Sequence, residues 1–226
     1  MIILLYLLLL FVLISEIILK INNTAGVIFY GIFLIGILMS VSFSKNFGKI
    51  QEFLLVFMIF PLIKIADSFL LIYVPWRAEL ISLIVLILGI YYIWKFKVDL
   101  GSINKILWLI PLVIILGISL GILGNYLFSI KAASYVLAIL PIAILSEEIF
   151  FRGLLMNLID SKINAIIFVS LIIGIVNINF GIVPALFLVF VNFIICLIYS
   201  STRNLILGYL LNLFVNISII LPNIYY

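Results

Sequence analysis

The chain has 226 residues, of which 68% are hydrophobic and 9% charged, with a mean hydropathy of +1.55. A soluble globular chain is about half apolar and about a quarter charged, so this composition leaves too little polar surface to face water and excludes a soluble fold. The net charge of +4 does not point to nucleic acid, because the Lys and Arg residues are scattered singly between apolar runs, as in the loops of membrane proteins.

Apolar runs fall at about 2–19, 25–43, 53–74, 79–94, 106–126, 134–158, 165–178, 183–200 and 205–221. Each is close to the length of a membrane crossing, which takes about 20 residues. They predict an all-α, polytopic transmembrane helical bundle of about eight or nine spans, forming one membrane domain over 1–226. The first run has no basic segment before it and continues to Leu19, so it reads as a retained span rather than a signal peptide. The breaks carry turn residues: Asn22-Asn23, Ser44-Lys45-Asn46, Pro75-Trp76-Arg77, Asp99-Leu100-Gly101-Ser102, Asp160-Ser161-Lys162 and Ser200 to Asn204. The run at 165–178 is short for a span and is expected to tilt, pack centrally or end below the surface.

The even connections hold Lys45 and Lys49, then Lys95, Lys97 and Lys105, then Lys162, then Arg203; the odd ones hold Lys20, Arg77 and Lys131. By the positive-inside rule the even connections and the N-terminus are cytoplasmic, and the segment from Glu147 to Arg152 lies toward that side. Heavy use of Ile, Leu, Asn and Lys suggests an AT-rich prokaryotic genome, hence a cell-membrane location.

Polar residues inside apolar runs are the informative ones, since a charge at mid-membrane costs at least about 2.5–3.5 kcal/mol. In the third run Lys64 and Asp67 are three apart and are expected to pair. Such a pair can mark a transport pathway, but the preferred reading is a neutralised structural pair near Pro61. The strongest cluster is Ser146-Glu147-Glu148-Ile149-Phe150-Phe151-Arg152-Gly153. Glu148 and Arg152 are four apart and share a helix face, while Glu147 is turned about 100° away. One acid is then locked in an ion pair and its neighbour left free in a low-dielectric setting, as a general base requires. The bland alternative is the solvated end of the sixth span.

Asn177 and Asn179 end the seventh run, and Asn212 and Asn216 lie four apart in the last, on one face. Buried amides in lipid need partners, so all are expected to point into the bundle, where helix–helix glue is the plain alternative to a site. The single cysteine, Cys196, rules out an intramolecular disulfide. With no histidine a conventional zinc site cannot be assembled, and neither a metal nor another cofactor is expected.

These residues resemble the CAAX-protease and bacteriocin-processing (CPBP, or Abi) family of membrane-embedded endopeptidases and bacteriocin-associated relatives. The family's Glu-Glu-x-x-x-Arg motif is matched by Glu147, Glu148 and Arg152, followed by Gly153. Its Phe-x-x-x-His falls on Ile173 to Asn177, and its His-x-x-x-Asn on Asn212 to Asn216 after Thr202-Arg203-Asn204-Leu205. The resemblance covers about 134–218, with both histidines replaced by asparagine and the phenylalanine by isoleucine. It implies a glutamate-dependent endopeptidase acting on a CAAX-type or bacteriocin-related peptide. Glu147 would be the base, Glu148 and Arg152 its support, Asn177 the water-orienting residue, and Asn212 and Asn216 oxyanion donors. The expected partners are the lipid bilayer and a membrane-associated peptide or protein. A non-catalytic member serving in membrane binding, bacteriocin immunity or regulation is the alternative.

Overall fold

The computed structural model describes residues 1–44, 48–70, 77–98, 101, 107–128, 132–133 and 135–225. Lys45, Asn46, Pro75, Trp76, Asp99, Leu100, Ser102, Lys105, Lys131 and the side chain of Arg77 lie outside the described residues. The chain is an all-α polytopic bundle. Its helices are α1 (Ile2–Ile21), α2 (Asn23–Phe43), α3 (Gly48–Phe57), α4 (Ile59–Leu70), α5 (Arg77–Phe96) and α6 (Ile110–Asn125). After these come α7 (Val136–Glu148), α8 (Met156–Leu158), α9 (Lys162–Val176), α10 (Ile182–Thr202) and α11 (Leu205–Ile220). The only strand pairing among the described residues joins β1 (Ala132–Ala133) in parallel to β2 (Ile224–Tyr225).

Six helices among the described residues are long and apolar enough to cross a membrane: α1, α2, α5, α6, α10 and α11. The remaining apolar runs fold differently. The third breaks at Met58 into α3 and α4 because Pro61 has no N–H to give the Phe57 carbonyl, and the next bond, from Leu62 N–H to the Met58 carbonyl, is stretched to 3.4 Å. The short seventh run forms α9, which packs centrally. It buries Ala165, Phe168, Val169, Ile172 and Ile173 and lies against α10 and α1.

Two apolar clusters result. One joins α1–α4 to α9, where the stacked rings of Phe53, Phe57 and Phe60 meet Phe168 edge-on or tilted. The other joins α6, α10 and α11. Large apolar side chains such as Ile3, Phe43 and Trp94 are exposed, as a bilayer-facing surface requires. Helix α6 approaches α11 through glycines. A Cβ on Gly121 would stand 2.4 Å from the Ser218 Cβ and 2.6 Å from the Val215 carbonyl oxygen. Small residues of this kind let helix backbones close up where no hydrophobic effect drives association.

Lys64 corrects a sequence expectation. Its ion pair is not with Asp67 but with Glu16 of α1, at 2.6 Å, and Tyr30 of α2 donates to the same Glu16 oxygen at 2.8 Å. Asp67 is engaged by another group. Glu16 is fully buried, so its charge takes the nearest cation across the helix interface, and three helices are tied at one point.

Two outcomes test this packing, both read as thermal exposure of the lone buried thiol, Cys196, to a maleimide dye. Gly121→Val lowers the midpoint by an equivalent of about 1–3 kcal/mol through overpacking, whereas Gly31→Ala, with open space at its Cβ, does not lower it. Lys64→Met strands the Glu16 carboxylate and costs about 3–5 kcal/mol. Adding Glu16→Gln to Lys64→Met restores most of that loss.

Candidate active site

Helix α7 does not end at Glu148. It continues through a π-helical segment, Ile149–Leu155, into α8. A π turn leaves carbonyls off the regular ladder, and here the Asn157 amide takes two of them, donating to the Arg152 carbonyl at 3.2 Å and the Gly153 carbonyl at 2.9 Å. Asn157 is in turn held by Tyr199 at 2.6 Å and by the Arg203 guanidinium at 2.9 Å. Because the helix runs on to Leu158, Glu148 lies about ten residues, or roughly 15 Å, from that end. Glu147 and Glu148 thus stand near the middle of the continuous helix from Val136 to Leu158 rather than at its end.

Glu148 and Arg152 are both fully buried, with Arg152 Nη1 3.0 Å from Glu148 Oε1. The same oxygen accepts from Asn212 Nδ2 at 2.8 Å. On the far side, Arg152 Nη2 donates to Asn192 Oδ1 in α10, and Asn192 Nδ2 donates to the Leu188 carbonyl at 2.9 Å. Asn216 Nδ2 donates to both the carbonyl and the Oδ1 of Asn212, each at 2.9 Å. One chain of donors and acceptors thus crosses from α11 through α7 and the π segment to α10. Gly208 leaves space for the acid, since a Cβ there would stand 2.9 Å from Glu148 Oε2. That oxygen has no hydrogen-bond partner among the described residues.

Glu147 is different. It is half-buried, and among the described residues it makes no hydrogen bond or ion pair. The structure therefore brings together Glu148, Arg152, Asn212 and Asn216, and leaves Glu147 beside them with its carboxylate uncommitted.

Two further asparagines stand outside this network. Asn177 caps the end of α9 and folds its amide back onto the Ile173 carbonyl at 2.7 Å. Asn179, expected to face the bundle, is exposed in the 3₁₀ turn Ile178–Phe180. The outward position follows from the helix ending at Val176, after which the helical face no longer governs direction. Asn192 was missed from sequence, although a lone amide in the apolar run 183–200 is a visible signal. Among the described residues no three carboxylate or thiol side chains gather where a cation could be held.

Residues 129–218 match the family model described as type II CAAX prenyl endopeptidase Rce1-like. This C-terminal segment is Rce1-like. It contains Glu147 and every member of the network from Glu148 to Asn216. Comparison with curated proteins and with solved structures gave no match. The Glu16–Lys64–Tyr30 clamp lies outside the Rce1-like segment.

The two adjacent glutamates differ in what they hold, and this is measurable. Glu148→Gln removes the charge facing buried Arg152 and costs about 3–5 kcal/mol of stability. Glu147→Gln stays within about 0.5 kcal/mol of the parent. Equal losses in the Cys196 thermal assay would contradict the assignment of one fixed and one free acid.

Proposed function

We propose that this Rce1-like protein is a glutamate-dependent intramembrane endopeptidase that cuts a membrane-associated peptide, CAAX-type or bacteriocin-related. The observation that carries the reading is the uncommitted Glu147 carboxylate beside the ion-paired Glu148 and Arg152. In this reading Glu147 takes a proton from a water as that water attacks the peptide carbonyl. Glu148 and Arg152 hold the helix face that presents it. Asn212 gives one amide hydrogen to Glu148 and keeps one for the developing oxyanion, a contact worth roughly 2.7–4 kcal/mol. Asn177, with its N–H on Ile173, keeps its Oδ1 to accept from the attacking water.

Where the family motifs carry imidazole this chain carries carboxamide, and an amide cannot take up a proton near neutral pH. Turnover is therefore expected to be slow, lower by about 10²–10⁴ than with histidine in place. The non-catalytic alternative, a membrane binding, bacteriocin-immunity or regulatory protein, draws support from Asn216. Both its donor contacts are spent on Asn212, so that amide offers no oxyanion donor without rearrangement.

We also propose a single membrane domain over 1–226 with 134–218 as its core, in a prokaryotic cell membrane with the N-terminus cytoplasmic. In support of that orientation, Lys49, Lys162 and Arg203, from three even connections, border one cavity.

Purified protein in lipid nanodiscs, given a farnesylated CAAX peptide and a bacteriocin leader peptide, separates these readings. The protease reading expects slow cleavage that Glu147→Gln abolishes and that the double change Asn177→His, Asn212→His accelerates by about 10²–10⁴. Cleavage indifferent to Glu147, or none from either the parent or the histidine variant, would leave the non-catalytic reading.

A further inference from the structure

A second polar feature lies apart from the glutamates, at the end of the bundle where α8 stops and α9 begins. A cavity of about 200 Å³ is lined there by Lys49, Asn157, Asp160, Lys162, Tyr199 and Arg203, with apolar and small residues behind them. A neighbouring cavity of about 360 Å³ shares Lys49, Asn157 and Arg203 and adds Glu52, Phe96 and Val98. The lining cations come from three separate segments: Lys49 in α3, Lys162 at the start of α9 and Arg203 after α10.

Charge here is unbalanced. Lys49 is paired with Asp160 at 2.7 Å. Neither Lys162 nor Arg203 has a carboxylate partner among the described residues; Arg203 Nη1 instead donates to neutral Asn157 Oδ1 at 2.9 Å, leaving the rest of its fork open. The N-terminus of α9 opens on the same cavity at Lys162 and Ala165 and adds partial positive charge from its free N–H groups. Arg203 also holds a left-handed backbone, φ 53°, at the close of α10. That conformation costs a non-glycine residue about 1–2 kcal/mol, and it turns the guanidinium to this face rather than on along the helix.

Immediately beyond Lys162, Ile163 is an exposed apolar side chain. The cavity therefore spans the border between polar bundle end and lipid-facing surface, the level at which phospholipid phosphates lie.

We propose that this cavity binds a phosphate oxoanion, held by Arg203, Lys162 and the α9 N-terminus, and that its source is the headgroup of an anionic phospholipid. Arg matches phosphate with parallel N–H bonds and Lys adds a point charge. The proposal does not depend on the Glu147 chemistry.

Native mass spectrometry of the full chain, with phosphatidylglycerol against phosphatidylcholine, tests the lipid source, and thermal shift of delipidated protein with inorganic phosphate tests a free one. The expected result is selective retention of phosphatidylglycerol, weakened about fivefold by Lys162→Gln or Arg203→Gln and about 25-fold by both. Asp160→Asn is the variant of opposite sign. It releases Lys49 to the cavity and tightens retention, whereas a purely structural role for the ion pair would bring only loss of stability. Stabilisation by inorganic phosphate without lipid selectivity assigns the same site to a free anion. No lipid preference together with no phosphate effect, or weaker retention in Asp160→Asn, overturns the proposal.

Discussion

The buried pair of Glu148 and Arg152 is the constraint from which the C-terminal half is built. Two charges with no exposure cannot rely on water, and in hydrocarbon each bare polar group costs several kcal/mol. Their Coulomb attraction alone does not compensate that loss unless other bonds saturate the remaining atoms. The chain meets part of the demand with carboxamides from two more helices, Asn212 on one side and Asn192 on the other, while Glu148 Oε2 and Arg152 Nε keep no hydrogen-bond partner among the described residues. The relative placement of α7, α10 and α11 is therefore set by polar geometry, and the leucines and isoleucines fill in around it. The N-terminal half repeats the solution on a smaller scale, where Lys64 and Tyr30 converge on Glu16.

This explains which features could be read from sequence. Hydropathy located the runs because lipid exposure is a property of composition over a window. The Glu148–Arg152 pairing was legible because it is local, fixed by helical spacing between residues four apart. The partnering of Asn212 was half legible: its burial followed from its place in an apolar run, but nothing in the spacing says which group it serves. Lys64 shows the limit. A local partner at Asp67 was available on paper, yet a fully buried acid 48 positions earlier in the chain took the lysine across the helix interface. The local contact of Asn177 has a related cause. At a helix end the nearest unsatisfied group is the helix's own carbonyl, and the amide closes on that first.

Replacement of imidazole by carboxamide also shapes how the network is wired. An amide nitrogen offers two hydrogens and its oxygen two acceptor sites. Asn216 can thus clamp Asn212 at two points while Asn212 still reaches Glu148. An imidazole at 212 could hold the acid from one nitrogen and accept from Asn216 at the other, and the second Asn216 bond, to the backbone carbonyl of residue 212, would be kept. The asparagines make a less chemically versatile cluster than histidine would. Geometry is kept and proton transfer is given up.

The π segment ties the two ends of this arrangement together. A single π turn acts as one inserted residue, re-phasing everything after it by about 100° relative to a regular α-helix. Before it, Glu148 faces α11; at its far end, Leu154 and Leu155 are fully buried in the cluster with α1–α4 and α9. Straightening Ile149–Leu155 into α-helix would keep one of these contacts at the cost of the other. Either the leucines would rotate out of the core, or the acid would leave its amide. Asn157 removes the main penalty of the irregular turn by taking the displaced carbonyls of Arg152 and Gly153. It does so while bonded to Tyr199 and Arg203 of the neighbouring helix end. The irregularity is thus held from both sides, and the register that leaves Glu147 unpartnered is a consequence of core packing as much as of the motif's own charges.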